Sequence, residues 1–522
     1  MILSDELAYD DSNSCSIVTI NESTELTEKK FLKSISIKLY ILIIIGIISA
    51  LVISSLIGVS IYFYYKYHLI FEYIRIGYGL STNNVSFLSE VENKSIPVLW
   101  KHPLVSHINC GALLNGDSSY IMKESKELKK LKYLPNTFST LCEDIKKRGH
   151  YPDKPLSQEE ADFPIAYIRT IYKDYLTLEY QFLLTYAPQN YYCFIIDKKQ
   201  PADFHNKMSA LAGCFKNVHI IQNRYQMDSN GININNAYYD CMKYLNDKNY
   251  KYVVVLNVSF LNIILFFFQL LQNDDMPLKT NREIVEILKI YNGSIDIEYA
   301  DPRPFYNDRV NLSLDWSLGH LEIFKEGDPR KLDNKILSSQ LEIQKGYNAI
   351  FYPKETVKYF VEELNLTKFF KQLDDMNLYA NDEFGFQSLI ANEYLNIPGR
   401  IDADCLKKDY FFKDSYMTRY VKWIFDGDCD ESETRHYVCL QNIKTLHSIK
   451  KVPHLFVNKF KGEFDFGGLT CWVEYMYDRT YFKHYKPINK SFYENLSLVK
   501  YGNLKNHIKD KEQLCEMSRS NN

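Results

Sequence analysis

Residues 379–395 read YANDEFGFQSLIANEYL and set two carboxylates, Asp382 and Glu383, side by side where a helical periodicity begins. A carboxylate within reach of a hydroxyl can take its proton as the oxygen attacks, so such an acid is a candidate general base. The same residues also make an ordinary helix start. Asn381 is a good N-cap, acids in a first turn suit the positive helix end, and FQSLIANEYL continues with helical spacing. Asn381 is therefore expected to cap a helix whose first turn holds both acids. Taken alone, the stretch leaves local support and catalysis both open.

A second candidate is Asp197, directly after the apolar run YYCFII. An acid at a strand end is either a turn former, here ahead of two lysines, or a ligand contact. The sequence has no GxGxxG loop, no GxxxxGK[ST] loop and no serine nucleophile elbow, which removes the common dinucleotide, P-loop and serine-hydrolase readings.

The elements that must position these acids alternate. FPIAYIRTIY, YYCFIIDKK, VHIIQ and YKYVVVL read as buried strands, with HNKMSALAGCF and NINNAYYDCMKYLND as helices between them. That alternation predicts an α/β, Rossmann-like parallel sheet, which binds ligands beyond the carboxyl ends of its strands. With 522 residues, 46% of them apolar, and a net charge of −3, the chain can bury a large core. Its basic residues are scattered among acidic ones, so nucleic acid is excluded as a partner.

Residues 39–65, LYILIIIGIISALVISSLIGVSIYFYY, carry no charge and exceed the ~20 residues that cross a bilayer. Lys29, Lys30, Lys33 and Lys38 precede this run and only Lys66 follows closely, which places the N-terminus in the cytoplasm. The expectation is a single-pass type II protein: cytoplasmic tail 1–38, transmembrane signal anchor 39–65, stem 66–108, folded domain 109–485 and a solvated polar tail 486–522. Ten of the eleven cysteines follow the membrane segment, without CxxC or Cys/His zinc spacing. Disulfides are expected there, and no metal site. Sequons at Asn84, Asn93, Asn292, Asn311, Asn365, Asn489 and Asn495 fall on the same side.

At PLSQEEADFPIAY, APQNYYCFIIDKK and CFKNVHI the sequence resembles the core-2/I-branching β-1,6-N-acetylglucosaminyltransferase family. The resemblance continues, in order, through MPLKTNREIVEILK, GYNAIFYPKETVKYFV, NDEFGFQSL, TRYVKWIFDGD and PHLFVNKF. It implies a GT-A-like glycosyltransferase domain behind a single membrane helix, anchored in the Golgi with the domain luminal. The implied reaction is inverting, metal-independent transfer of GlcNAc from UDP-GlcNAc to a sugar 6-hydroxyl of an O-glycan or glycoprotein acceptor. No cofactor beyond the UDP-sugar donor is expected; the Asp402–Asp404 DAD lies outside the place of a metal motif.

Carried over by motif, Glu383 falls on the catalytic base and Asp382 on a supporting position. Lys459 and a basic loop residue, Arg435 or His436, would meet the diphosphate, and Asp197 the nucleotide. Glu298, Arg309, Trp423 and Phe425 would line the acceptor pocket. Tyr306 stands where a lysine is expected and Phe425 where a tyrosine is, so the acceptor is left open. The pattern also implies the pairs Cys110–Cys471, Cys142–Cys214, Cys193–Cys241 and Cys429–Cys439, leaving Cys405 and Cys515 unpaired. Between YKYVVVLN and MPLKTN lies a surplus apolar segment, residues 258–272, whose possible codons include intron-like ends; a retained intron and a translated, accommodated loop are both left open. Two other functions stay in play: a peptide O-xylosyltransferase-like enzyme, and a catalytically impaired glycan-binding relative.

Overall fold

Strand β1 (Ile165–Ile171), IAYIRTI, is buried along its whole length in the computed structural model of the protein. β2 (Tyr191–Ile196) and β4 (Tyr252–Leu256) flank it in parallel, pairing Ile168 with Cys193 on one side and with Val255 on the other. β3 (Val218–Ile220) extends the sheet beyond β2. The short β5 (Met276–Pro277) leaves this sheet, and β6 (Ile350–Pro353) returns to run antiparallel to β4, giving the order β3-β2-β1-β4-β6. Winding outward to β3 and then crossing back to β4 makes the gap between β1 and β4 the switch point of the sheet. A crevice opens beyond strand ends at such a point.

Successive residues along these strands enter opposite cores, as strand geometry requires. Tyr167, Ile171, Phe194 and Val254 join a core closed by helices Tyr175–Thr185, Asn281–Tyr291 and Gly462–Tyr481. Ile168, Ile195 and Val253 face a second core built on helices Ile234–Leu245, Thr367–Asp375 and Gly385–Ala391. Both faces are covered, which is why the strands read as continuous apolar runs instead of alternating ones. A small sheet sits apart, with β10 (Phe456–Asn458) between β5 and β7 (Arg419–Val421). Beside it, β8 (Thr434–Arg435) and β9 (Val438–Cys439) form a hairpin.

The structure describes residues 96–519, apart from 133, 135–137, 229, 257–273, 301–308, 403–404, 406–414, 428, 430–432 and 484. The expected membrane segment 39–65, the apolar segment 258–272 and Tyr306 lie outside the described residues. Among the described residues no helix is long and apolar enough to cross a membrane.

All four disulfides implied by the resemblance are present. A fifth, Cys405–Cys515, corrects the expectation that these two cysteines stay unpaired. In the described part of the expected tail, residues 486–519, the segment 490–517 is likewise packed and does not form a solvated tail. Helices Lys490–Glu494, Ser497–Leu504 and Lys511–Met517 bury Tyr493, Leu498, Val499 and Leu514 in the first core, and the Tyr493 hydroxyl donates to the Pro453 carbonyl at 2.6 Å. These helices are five, eight and seven residues long, too short for a clear periodicity to show in the sequence. At the other end Leu99, Val105 and Ile108 are also buried, so the last residues assigned to the stem belong to the domain.

Candidate active site

Asn381, Asp382 and Glu383 form one turn of 3-10 helix, and the α-helix begins only at Gly385. Asn381 is not the cap. Ala380 occupies that position with φ +54°, and the Asn381 amide donates to the Leu373 carbonyl and to Asp374, both at 3.1 Å. The turn is packed from outside by Gly231, φ +83°, where a Cβ would lie 2.4 Å from Asp382 Oδ1. Only glycine fits there.

The two acids meet opposite environments. Glu383 is 4% exposed, yet its Oε2 lies 2.7 Å from Arg309 Nη1 and 3.3 Å from Lys345 Nζ. Burial alone would raise this carboxyl; Lys345 and then Arg309 outweigh it and hold it below the ordinary glutamate value. Asp382 accepts from the Asn348 amide, while burial and the neighbouring Glu383 charge push it up to about 7. Of the two, Glu383 is the acid held toward its ionised form and Asp382 the one pushed toward its protonated form. The ionisation of Glu383 comes from two side-chain cations and not from the short helix expected to favour it.

Glu298, also buried, is raised by its burial and by Glu383 and lowered by Lys345, which thus serves both acids. One Glu298 oxygen accepts from the Tyr347 backbone at 2.9 Å. The Tyr347 ring continues the site outward: its hydroxyl accepts from Trp423 Nε1 at 3.0 Å, and the two rings lie nearly parallel with centroids 6.5 Å apart. Flat apolar faces beside charged groups suit a sugar ring. Phe425 is not joined to this group. It is 81% exposed and stacks on Tyr437.

A second cluster gathers beyond the strand ends. Lys459, just after β10, is 1% exposed, and its Nζ makes no hydrogen bond among the described residues. Burial, with repulsion from Lys461, Arg419 and Arg435 set against attraction from Asp274, pushes it down to about 7. Burial and the same cations, Lys459, Arg435 and Lys461, hold His436 at about 3, so His436 is neutral and Arg435 carries the charge of this hairpin. Asp197, at the end of β2, is fully buried. It accepts from the backbone of Lys199 and Met227, each at 3.2 Å, and from the Gln200 amide at 3.3 Å. Its oxygens therefore fix the loop they stand in. Arg419 lies between the clusters, 3.7 Å from Asp275 and with its guanidinium 5.4 Å from the Tyr347 ring centroid.

Residues 165–450 match the Core-2/I-branching enzymes. The chain belongs to the Core-2/I-branching enzyme family. It is 27% identical over 393 residues to the human beta-1,3-galactosyl-O-glycosyl-glycoprotein beta-1,6-N-acetylglucosaminyltransferase, covering 71% of this chain and 85% of that one. To the sheep beta-1,3-galactosyl-O-glycosyl-glycoprotein beta-1,6-N-acetylglucosaminyltransferase 3 it is 27% identical over 403 residues, 73% and 85% of the two chains. As a Core-2/I-branching enzyme the protein is a member of a glycosyltransferase family, and its parallel sheet is consistent with a GT-A-like fold.

Within this Core-2/I-branching domain the sequence reading missed Lys345, Tyr347, Arg419, Asp274 and Lys461. Lys345 and Tyr347 flank Gly346, the first residue of a run quoted only for the family resemblance, with nothing in their spacing to mark a site. Lys461 did have a signal. It stands two residues after Lys459, and alternate residues of an extended segment share a face.

Proposed function

We propose that the protein transfers a sugar, GlcNAc from UDP-GlcNAc, to a sugar 6-hydroxyl with inversion, building β-1,6 branches on O-glycans. The observation that carries this reading is Glu383, buried yet held as a carboxylate by Lys345 and Arg309 beside the Tyr347–Trp423 platform. The acceptor oxygen attacks the anomeric carbon while the bond from that carbon to the phosphate oxygen breaks. The hydroxyl proton passes to Glu383, and UDP leaves with the bonding pair. A carboxylate held below its ordinary pKa is a weak base toward a resting hydroxyl. It becomes sufficient once the new bond makes the acceptor oxygen acidic.

The leaving diphosphate needs positive charge, which metal-independent transfer must take from side chains. Lys459 and Arg435 supply it, in line with the metal-independent chemistry of the family. Asp382 supports the turn through Asn348, and Asp197 shapes the nucleotide side of the crevice. The type II anchor and Golgi lumen suit a domain that carries five disulfides.

The test is a transfer assay of the purified protein with UDP-GlcNAc, UDP-xylose and UDP-galactose, against core O-glycan disaccharides and a serine peptide, each with and without EDTA. GlcNAc transfer that survives EDTA is expected. Xylose transfer to the peptide would replace this reading with the xylosyltransferase one, and loss of activity in EDTA would remove the metal-free mechanism.

A further inference from the structure

The crevice cations are not balanced by their surroundings. Lys461 is 5% exposed, and its Nζ lies 3.6 Å from Asp274 Oδ2 and 3.3 Å from Glu463. Glu463 is shared with Lys173 at 3.1 Å, so half of that contact belongs to another lysine. Asp274 is 6% exposed, and its Oδ2 makes no hydrogen bond among the described residues, Lys461 being too far for one. Lys459 Nζ and Arg435 Nε lack hydrogen bonds in the same way. Between Lys459 and Lys461, Phe460 is turned into the core against Trp472, which directs the two lysines to the opposite side. Buried polar atoms are ordinarily hydrogen-bonded, so the Asp274 Oδ2, the Lys459 ammonium and the buried Nε of half-buried Arg435, all without such bonds among the described residues, mark a site completed by a ligand.

We propose that Lys461 is a third cation of the donor diphosphate site and that Asp274 is its built-in counter-charge. The assignment rests on the donor reading given above. Asp274 faces Lys461 and attracts Lys459, so it partly neutralises the crevice and competes with the diphosphate for the same cations. It thereby limits how tightly UDP is held. After transfer, UDP is the tightest-held product available to this crevice, and a fixed carboxylate beside it hastens its departure.

Titration calorimetry of the purified protein with UDP and with uridine tests this. Lys461→Met should weaken UDP binding by about ten-fold or more, the range of a charge-assisted hydrogen bond, and leave uridine binding unchanged. Lys461→Arg should retain most of the UDP affinity. Asp274→Asn should tighten UDP binding and slow its release. Lys461→Met made in the Asp274→Asn background should still weaken UDP binding, which shows that the lysine itself meets phosphate and does not merely mask the acid. UDP affinity unchanged by Lys461→Met in a protein that binds UDP overturns the proposal while leaving the donor reading intact. Equal losses for UDP and uridine also overturn it, since they report a disturbed fold. If the parent protein binds no UDP, the donor reading falls and this proposal with it.

Discussion

The base cluster and the cation crevice handle buried charge in opposite ways. Around Glu383, Arg309 and Lys345 already meet the carboxylate, and Glu298 meets Lys345 and the Tyr347 backbone. Around Lys459, Lys461 meets Asp274 at 3.6 Å and shares Glu463 with Lys173, and Lys459 Nζ makes no hydrogen bond among the described residues. The first region is set before any substrate arrives; the second is completed by what it binds. Buried charge without a partner is costly to a fold, so its retention argues that binding repays the cost.

The sharpest way to break this contrast is Glu383→Gln. Transfer should fall by about 10²–10⁴-fold, the usual share of general-base catalysis, while calorimetric UDP affinity stays at the parent value. A variant that transfers normally would reduce Glu383 to a structural acid. Next in size is Lys459→Ala, expected to weaken UDP binding by about 10–100-fold. Because it removes an unsatisfied buried cation, the same change should raise the melting temperature of the empty protein; a fall would show that the crevice charges are balanced after all.

Lys345→Met should move the acid limb of the pH–rate profile upward by about one unit, since Glu383 loses the cation that lowers it most. Lys345→Arg should leave the limb in place, and an unmoved limb in the methionine variant would assign the ionisation to Arg309 alone. On the cation side, the sign runs the other way. Lys459 loses its proton in the empty crevice as pH rises through about 7, and a diphosphate favours the protonated form. UDP affinity should therefore fall as pH rises above about 7, by up to about ten-fold per unit, with proton uptake measured from buffers of different ionisation heat. The smallest effect on the contrast is expected from the pair Cys405→Ser and Cys515→Ser. It should lower stability by about 2–4 kcal/mol in denaturant titration and leave the UDP affinity and the transfer pH profile unchanged.

Much of the fold was legible because β1, β2 and β4 are buried on both faces and read as unbroken apolar runs. The C-terminal helices were not. Leu514 and Cys515 sit in a window dominated by lysine and glutamate, where one buried and one partly buried side chain make no visible stripe. In the site, the motif around Glu383 singled out the acid but not its environment. What holds it ionised comes from Arg309 and Lys345, distant in sequence, and only the fold brings them to one oxygen. Asn381 failed as a cap for a related reason: the Leu373 carbonyl and Asp374, reached through tertiary packing, engage its side chain. The choice between Arg435 and His436 could not be made from spacing, because it depends on the charge that surrounds the hairpin.

The disulfide between Cys110 and Cys471 spans 361 residues. At a synthesis rate of about 5–20 residues per second, Cys110 is made roughly 20–70 s before its partner exists. In that interval Cys142, Cys193, Cys214 and Cys241 are all made, the four that form two interleaved bridges in the finished fold, 142 with 214 and 193 with 241. Translation therefore sets an order in which partners become available: the inner pairs are complete first, Cys110–Cys471 later, and Cys405–Cys515 last, once the Lys511–Met517 helix is made. A chain stopped before residue 471 keeps Cys110 as a reactive thiol, which makes unfinished molecules chemically distinct from finished ones and open to capture by thiol exchange.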